Sequence, residues 1–300
     1  MTMKPLPAAA TRPVLPDVTV VIPTLGRAIL RDSLHAIAMG NAWPRTLIVV
    51  NQGPANDIPR WIEELRAQGM DARLYASTQK GRACGVNRGL ERVETPFAAI
   101  TDDDCLVARD WLSTLVARLR ETPGAVVTGR VEAEGDAPAV ALLTSAEPAL
   151  YHRPLLKRDV LCGGNMGVSR RVLDQVGLLD EDPRLRAAED CEWSYRALRA
   201  GAAIAYDPGV LVYHCGWRDS EQRYQQYQAY ARSHGAFYGK YLHRGDLFIA
   251  ARVAVHMLRA IKRTVVGAAT GNRDKALNGR AYVMGLLPGV VTTLRGKSPP

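Results

Sequence analysis

Apolar residues fall in two spacings along the first hundred positions, and the two take turns. Val18-Thr-Val-Val-Ile22 is a β-branched run that reads as a buried strand stopped by Pro23. Ala28 to Met39 has helical spacing and ends at Gly40. Thr46 to Val50 is a second buried run, followed by the loop Asn51-Gln-Gly-Pro54. Pro59 to Ala67 reads as a helix with proline in its first turn, and Ala72 to Ala76 as a short strand. Gly81 to Val93 reads as a helix and Phe97 to Thr101 as a fourth strand. Such alternation is the pattern of a parallel sheet covered by helices. Ligands of these sheets gather at the carboxyl ends of the strands, so loops 23–27, 51–54, 77–82 and 102–105 are expected to meet.

The second half is less regular. Ala125 to Val131 and Val210 to His214 read as strands, and Ala188 to Ala200 as a helix closed by Gly201. From Ser220 onward the pattern is mostly helical. Residues 1–16, rich in Ala and Pro, read as a disordered lead-in without the apolar core of a secretory signal. No run reaches the length of a membrane span. Apolar residues make up 47% of the 300, enough for a sizeable core.

Charge splits the chain. Arg232 to Pro300 holds twelve Lys/Arg and two Asp/Glu, whereas residues 1–231 hold 27 and 28, so the +9 belongs to the C-terminal segment. Five cysteines without a CxxC pair argue against a disulfide framework and a structural zinc site, and a reducing cytosol is the simplest compartment. Aromatic residues for base stacking are sparse in the basic segment, so nucleic acid is not an expected partner.

The densest candidate chemistry is Asp102-Asp103-Asp104, directly after an apolar strand. Adjacent carboxylates repel and raise one another's pKa unless a cation is present. Hard oxygen ligands suit Mg²⁺ or Mn²⁺. A solvated acidic turn is the plain alternative, and the position at a strand end weighs against it.

Five segments in order resemble inverting glycosyltransferase family 2 with the GT-A fold: Val20-Val-Ile-Pro-Thr-Leu-Gly-Arg27, Gly81-Arg-Ala-Cys-Gly-Val-Asn-Arg-Gly89, Thr101-Asp-Asp-Asp104, Gly163-Gly-Asn-Met-Gly-Val-Ser-Arg170 and Ala188-Glu-Asp-Cys-Glu-Trp-Ser-Tyr-Arg196. The resemblance covers residues 18–242. It implies an α/β fold with a Rossmann-like nucleotide-binding half, a mixed central sheet and a helical C-terminal segment. Its domains would be the lead-in 1–16, a catalytic domain 17–242 with a donor half (17–105) and an acceptor half (106–242), and a basic segment 243–300. It implies transfer of a sugar from a nucleotide-diphosphate-sugar, first of all a UDP-sugar, to an acceptor hydroxyl in glycan or glycolipid assembly. The cofactor would be Mn²⁺ or Mg²⁺, and the acceptor a saccharide or lipid-linked sugar. Asp190 would be the catalytic base; Asp104, Asp102 and His214 the metal ligands; Pro23, Thr24, Arg27, Asn51, Gly81, Arg82, Asn87, Asp102 and Asp103 the donor contacts; Gly164, Asn165, Glu189 and Trp217 the acceptor side.

Several alternatives stay open. Asp190 in a first helical turn is also an ordinary place for a capping carboxylate, and His214 for a buried strand-end histidine. Asn87 could bond across the nucleotide loops to order them, and Gly81 and Gly89 could serve helix packing. Asn51 stands where many relatives carry an Asp that contacts the base. Glu221-Gln-Arg-Tyr224 is only a faint echo of a processive synthase motif. A catalytically inactive, membrane-recruited binder and a sugar nucleotidyltransferase are the competing functions; the loop after the first strand lacks the Gly-, Arg- and Lys-rich character the latter needs. Arg252, His256, Arg259 and Arg263 are spaced to form one basic helical stripe. That stripe could meet an anionic membrane, on the inner face of the plasma membrane, or pack on the protein; a homodimer is left open.

Overall fold

The computed structural model describes residues 12–135, 142–215 and 220–296. Most of the lead-in and Trp217 lie outside the described residues. The chain divides into two compact units, one of Met1–Arg153, Leu161–Leu179 and Arg196–Gly216, the other of Pro154–Val160, Asp180–Tyr195 and Trp217–Pro300.

The first unit is built on one mixed sheet. Its strands are β1 (Val14–Thr24), β2 (Trp43–Asn51), β3 (Ala72–Ala76), β4 (Phe97–Thr101), β5 (Cys105–Val107), β6 (Ala125–Glu134), β7 (Ala149–Tyr151), β8 (Asn165–Ser169) and β9 (Ala203–Cys215). They lie in the order β3-β2-β1-β4-β8-β6-β9-β5, with β7 beside β9. The four strands from β3 to β4 are parallel, and β8 runs antiparallel between β4 and β6. Helices α1 (Leu30–Ala38), α2 (Ile58–Ala67), α3 (Arg82–Leu90), α4 (Trp111–Glu121) and α5 (Arg170–Val176) connect them. Strands covered on both faces read as unbroken apolar runs, and Val20, Val21, Ile22, Leu47, Ile48 and Val49 are fully enclosed.

Three expectations change here. Pro23 does not stop β1: it pairs with Val50, and Thr24 with Asn51. The ladder to β4 has already ended at Val21, so proline interrupts nothing on that side. The strand also begins at Val14, inside the expected lead-in, with Val14 and Leu15 paired to Trp43 and Pro44. And β9 begins at Ala203 rather than Val210, because Asp207-Pro-Gly209 forms a bulge in the strand, where the register to β6 shifts and Gly209 N–H donates to Asp207 Oδ1 at 2.9 Å.

The second unit carries the first part of α6 (Glu189–Arg199) and the helices α7 (Ser220–Leu242), α8 (Leu247–Ala269) and α9 (Arg273–Leu294). Its core is aromatic, with Tyr195, Phe237, Tyr238 and Tyr241 around Ile249 and Leu286. The glycines of the last segment do not break it. α9 is continuous through Pro288, and Gly285 and Gly289 let it lie against α7: a Cβ at Gly285 would come 2.8 Å from the Ala231 side chain.

The basic stripe on α8 turns inward. Arg252 is 2% exposed, pairs with Asp159 and donates to Tyr238 Oη at 3.2 Å. Arg259 donates to the Lys157 carbonyl, and Arg263 to Asn278 Oδ1 at 3.1 Å. Burial holds His256 near pKa 3, so it is a neutral partner for Tyr238 Oη at 2.9 Å. No helix among the described residues is long and apolar enough to cross a membrane.

Candidate active site

The four loops at the carboxyl ends of β1, β2, β3 and β4 converge as the alternation predicts. Gln52, after β2, donates to the carbonyls of Gln79 (2.6 Å) and Gly81 (2.9 Å). Thr24, the last residue of β1, donates to Asp103 Oδ2 at 2.6 Å, and its hydroxyl accepts from Gly26 N–H. Gly26 sits at φ +84°, and any Cβ there or at Gly53 would strike the facing loop backbone.

Within the acidic cluster the three carboxylates have different surroundings. Asp103 is 2% exposed and accepts from Thr24 and twice from Arg27, while Ser33 Oγ donates to its carbonyl at 2.8 Å. It ties the loops together. Asp104 has Oδ2 3.0 Å from the Arg27 guanidinium and Oδ1 3.6 Å from His214 Nε2. His214 arrives there by register: β5 and β9 pair Cys105 with His214. Asp102 accepts from Arg82 Nε at 2.7 Å.

Burial is the largest influence on Asp102 and pushes its pKa up; the charges of Asp104 and Asp103 add to it, and Arg82 opposes. For Arg27, burial works against the charge, but the two neighbouring carboxylates outweigh it and its pKa rises. Burial likewise pushes the Cys105 thiol well up, so it stays protonated.

The donor chemistry fits a hard divalent cation. Asp102, Asp104 and Cys105 each offer a ligand atom within 4.8 Å of one another. The two carboxylates with the nearby imidazole are a hard set that suits Mn²⁺ or Mg²⁺.

The Gly163-Gly164 turn packs on this cluster. A Cβ at Gly164 would lie 2.8 Å from Asp102 Oδ2, and one at Gly163 2.7 Å from the Arg82 guanidinium. Thr101 Oγ1 fixes the turn by donating to the Gly164 carbonyl at 3.0 Å.

Three amides expected at the ligand are engaged by the fold. Asn165 is fully enclosed; its Oδ1 accepts from Trp111 Nε1 (2.8 Å) and its Nδ2 donates to the carbonyls of Arg130 (3.1 Å) and Val210 (2.8 Å). Its amide is thus committed to groups of the fold. Asn87 exchanges two hydrogen bonds with the Leu179 backbone, at 2.9 and 3.0 Å. Asn51 closes its own loop, donating to the carbonyls of Gly53 and Pro54 and accepting from Gly53 N–H, each at 3.1 Å. The glycines of α3 serve contact: Gly89 lies directly on the Val21 side chain.

In the second unit, Glu189 is buried and Asp190 half-buried, both in the first turn of α6. Asp190 Oδ1 accepts from Cys191 N–H at 2.8 Å. The helix is anchored by Glu192, which takes Lys240 Nζ at 2.6 Å and Tyr241 Oη at 2.7 Å; Lys240 also meets Asp180 at 2.7 Å. None of Ser33, Glu192, Lys240 or Asp180 was expected from sequence, since each lies far along the chain from its partner.

The sequence profile of glycosyltransferase like family 2 matches residues 16–234. The pre-mycofactocin glycosyltransferase of Mycobacterium tuberculosis is 28% identical over 207 residues, 66% of this chain and 42% of that protein, so the chain spans less than half the length of this curated relative. Among solved structures, a mannosyltransferase from Pyrobaculum calidifontis in complex with GDP-Man and Mn²⁺ superposes with a TM-score of 0.64 at 18% identity, covering 98% of this chain and 91% of its own. S. aureus TarS 1-349 in complex with UDP gives 0.58 at 15% identity, covering 94% and 92%. These likenesses show the GT-A fold. With the profile spanning well over half its length, the chain belongs to glycosyltransferase like family 2.

Proposed function

We propose that the protein is an inverting, metal-dependent glycosyltransferase that moves a sugar from a nucleoside diphosphate sugar to an acceptor hydroxyl of a saccharide or lipid-linked sugar. The observation that carries this reading is the split of the acidic cluster. Asp103 ties the loops together through Thr24 and Arg27, while Asp102 and Asp104 stand beside Arg82, Arg27 and His214 near the carboxyl end of β4.

Asp102, Asp104 and His214 would hold the cation, which when bound supplies charge neutralisation of the departing diphosphate. Arg82 and Arg27 pair with the two carboxylates, and their guanidinium groups are suited to phosphate oxygens. The turn after β1 and the loop 51–54 would receive the nucleoside. Because the Asn51 amide is engaged by its own loop, the base would be read by backbone groups. Asp190 would take the proton from the acceptor hydroxyl, opposite the leaving group. Its place in the first turn of α6 supports this, since the N–H groups there hold the carboxylate in position, as that of Cys191 does. On this reading residues 17–105 form the donor half and 106–242 the acceptor half.

The test is calorimetric titration with UDP- and GDP-sugars, with Mn²⁺ and with EDTA, followed by turnover on candidate acceptors. Donor binding is expected only with the metal. Asp190→Asn is expected to keep donor binding and lose about 10²–10⁴-fold in kcat. Full activity in Asp190→Asn, activity untouched by EDTA, or NMR of the product showing retention at the anomeric carbon would each overturn part of the assignment. A UDP-sugar is the first donor to try; the GDP-Man bound by the Pyrobaculum relative makes a GDP-sugar the second.

A further inference from the structure

Helix α8 has two unlike faces. One face is buried, with Ile249, Arg252, Ala260 and Gly267 turned into the second unit. On the other face Leu247, Leu258, Val265 and Ile261 are 83%, 67%, 61% and 46% exposed. Ala251, Ala254 and Ala268 are also exposed. The positions 247, 251, 254, 258, 261, 265 and 268 follow one another by four and three, so they form a single ridge along the whole helix. At ~1.5 Å per residue the ridge is ~30 Å long. It contains no charged residue.

The borders of the ridge are basic. Lys262 stands exposed beside it, with Arg244 just before the helix. From Leu247 to Leu294 Asp274 is the one exposed acid, and it is paired with Arg223 and Tyr227. α9 presents a similar set, with Met284, Leu287, Val291 and Leu294 exposed and Arg280 and Arg295 alongside.

We propose that α8 lies in the headgroup region of an anionic lipid surface, with the ridge from Leu247 to Ala268 immersed and Lys262 contacting lipid phosphates. A long apolar ridge of aliphatic side chains with lysine and arginine at its margin is the pattern of a helix that lies along a membrane rather than through it. The charge pattern selects this occupant. A second copy of the chain would bring two basic margins together with no carboxylate to answer them, whereas acidic headgroups complement them. The surface is thus the apolar ridge, and the basic stripe at 252, 256, 259 and 263 is not part of it. The inference is independent of sugar transfer, because vesicle binding is read without donor or acceptor.

The experiment is co-sedimentation of the full chain with phosphatidylglycerol-containing vesicles and with pure phosphatidylcholine vesicles, at low and high salt. Binding is expected to the anionic vesicles, weakening with salt. The double variant Leu258→Asp, Ile261→Asp is expected to lose about tenfold or more in partition coefficient, with its circular dichroism unchanged. If that variant misfolds, Lys262→Glu keeps the ridge and is expected to weaken binding about fivefold or more. Equal binding by wild type and Lys262→Glu, equal binding to both vesicle types, or a dimer in light scattering that the double variant dissociates while wild type ignores vesicles, would each overturn the proposal.

Discussion

Two clusters in this molecule draw on the same kinds of side chain and differ in how those side chains are balanced. In the first unit Asp102, Asp103 and Asp104 meet Arg27, Arg82 and His214. In the second, Asp159 meets Arg252 and His234, with Cys191, Tyr238, His256 and Tyr282 around them. Both combine carboxylate, guanidinium, imidazole and thiol, and both bring candidate ligand atoms within 4.8 Å of one another. In the first, three carboxylates stand against two partly exposed arginines, so acidic groups outnumber the guanidinium groups. In the second, the one carboxylate is taken by an Arg252 that is 2% exposed. That guanidinium, more than any other neighbour, offsets the burial that would raise the pKa of Asp159, and holds it far below the ordinary range. A cation there would have to displace a buried partner that cannot reach water. Residue types do not make a site; the two clusters differ in the balance of carboxylates to guanidinium groups, an excess of acid in the first and a one-to-one buried pair in the second.

The largest expected effect breaks the second cluster. Arg252→Met leaves Asp159 buried without its cation, and removing one partner of a buried pair costs about 3–5 kcal/mol. Urea unfolding measures it, and the double variant Asp159→Asn, Arg252→Met should recover much of the loss. Donor affinity of the folded fraction should be unchanged. A loss below ~1 kcal/mol would mean that the pair is screened like a surface ion pair.

Next comes Asp104→Asn, which tests the first cluster by function. Turnover should fall about 10²–10³-fold, the scale of removing one preorganised electrostatic group. Metal-dependent donor binding should fall with it. The melting temperature should hold or rise, since one of three adjacent negative charges is gone. A variant that unfolds but still turns over at the wild-type rate would exchange the roles of the two clusters.

The pH dependence sharpens the same contrast. His256 titrates near 3 when folded and near 6.5 as a free side chain, so between those values the unfolded chain binds the extra proton. Stability is therefore level above ~6.5 and falls as pH drops through the window, by up to about 1.4 kcal/mol per pH unit for one group. Asp159, held low by Arg252, adds a loss in the same direction below ~3.9. Urea unfolding of His256→Gln across this range should show a shallower slope than wild type; an equal slope would remove His256 as its origin.

How much of this was legible depended on the range of the interaction. β4, from Phe97 to Thr101, is read from its apolar run without error, and the convergence of four loops follows from strand and helix alternation alone. The acidic cluster was visible as a cluster. Its division was not, because Thr24, Arg27 and Ser33 lie 70 or more residues away from Asp103. From sequence Asn165 is expected on the acceptor side, next to two glycines. Its enclosure comes from the insertion of β8 between β4 and β6, which no local pattern announces. The stripe on α8 was correctly periodic but faces inward, since period fixes which residues share a face and not which face is buried. Asp207-Pro-Gly209 has the composition of a turn, yet a strand absorbs it as a bulge.

The smallest effect concerns how the acidic cluster is held. Thr24 Oγ1 donates to Asp103 Oδ2 at 2.6 Å and accepts from Gly26 N–H at 3.1 Å. Thr24→Val keeps the shape and removes both bonds, at a cost of about 1–2 kcal/mol in stability. Arg27 still engages Asp103, so the carboxylate keeps its charge partner. Donor affinity and turnover should then change only a few-fold, and Thr24→Ser should restore the loss in stability. If Thr24→Val instead cost as much turnover as Asp104→Asn, Asp103 would be acting on the donor itself, and the separation of the loop-tying carboxylate from the other two would fail.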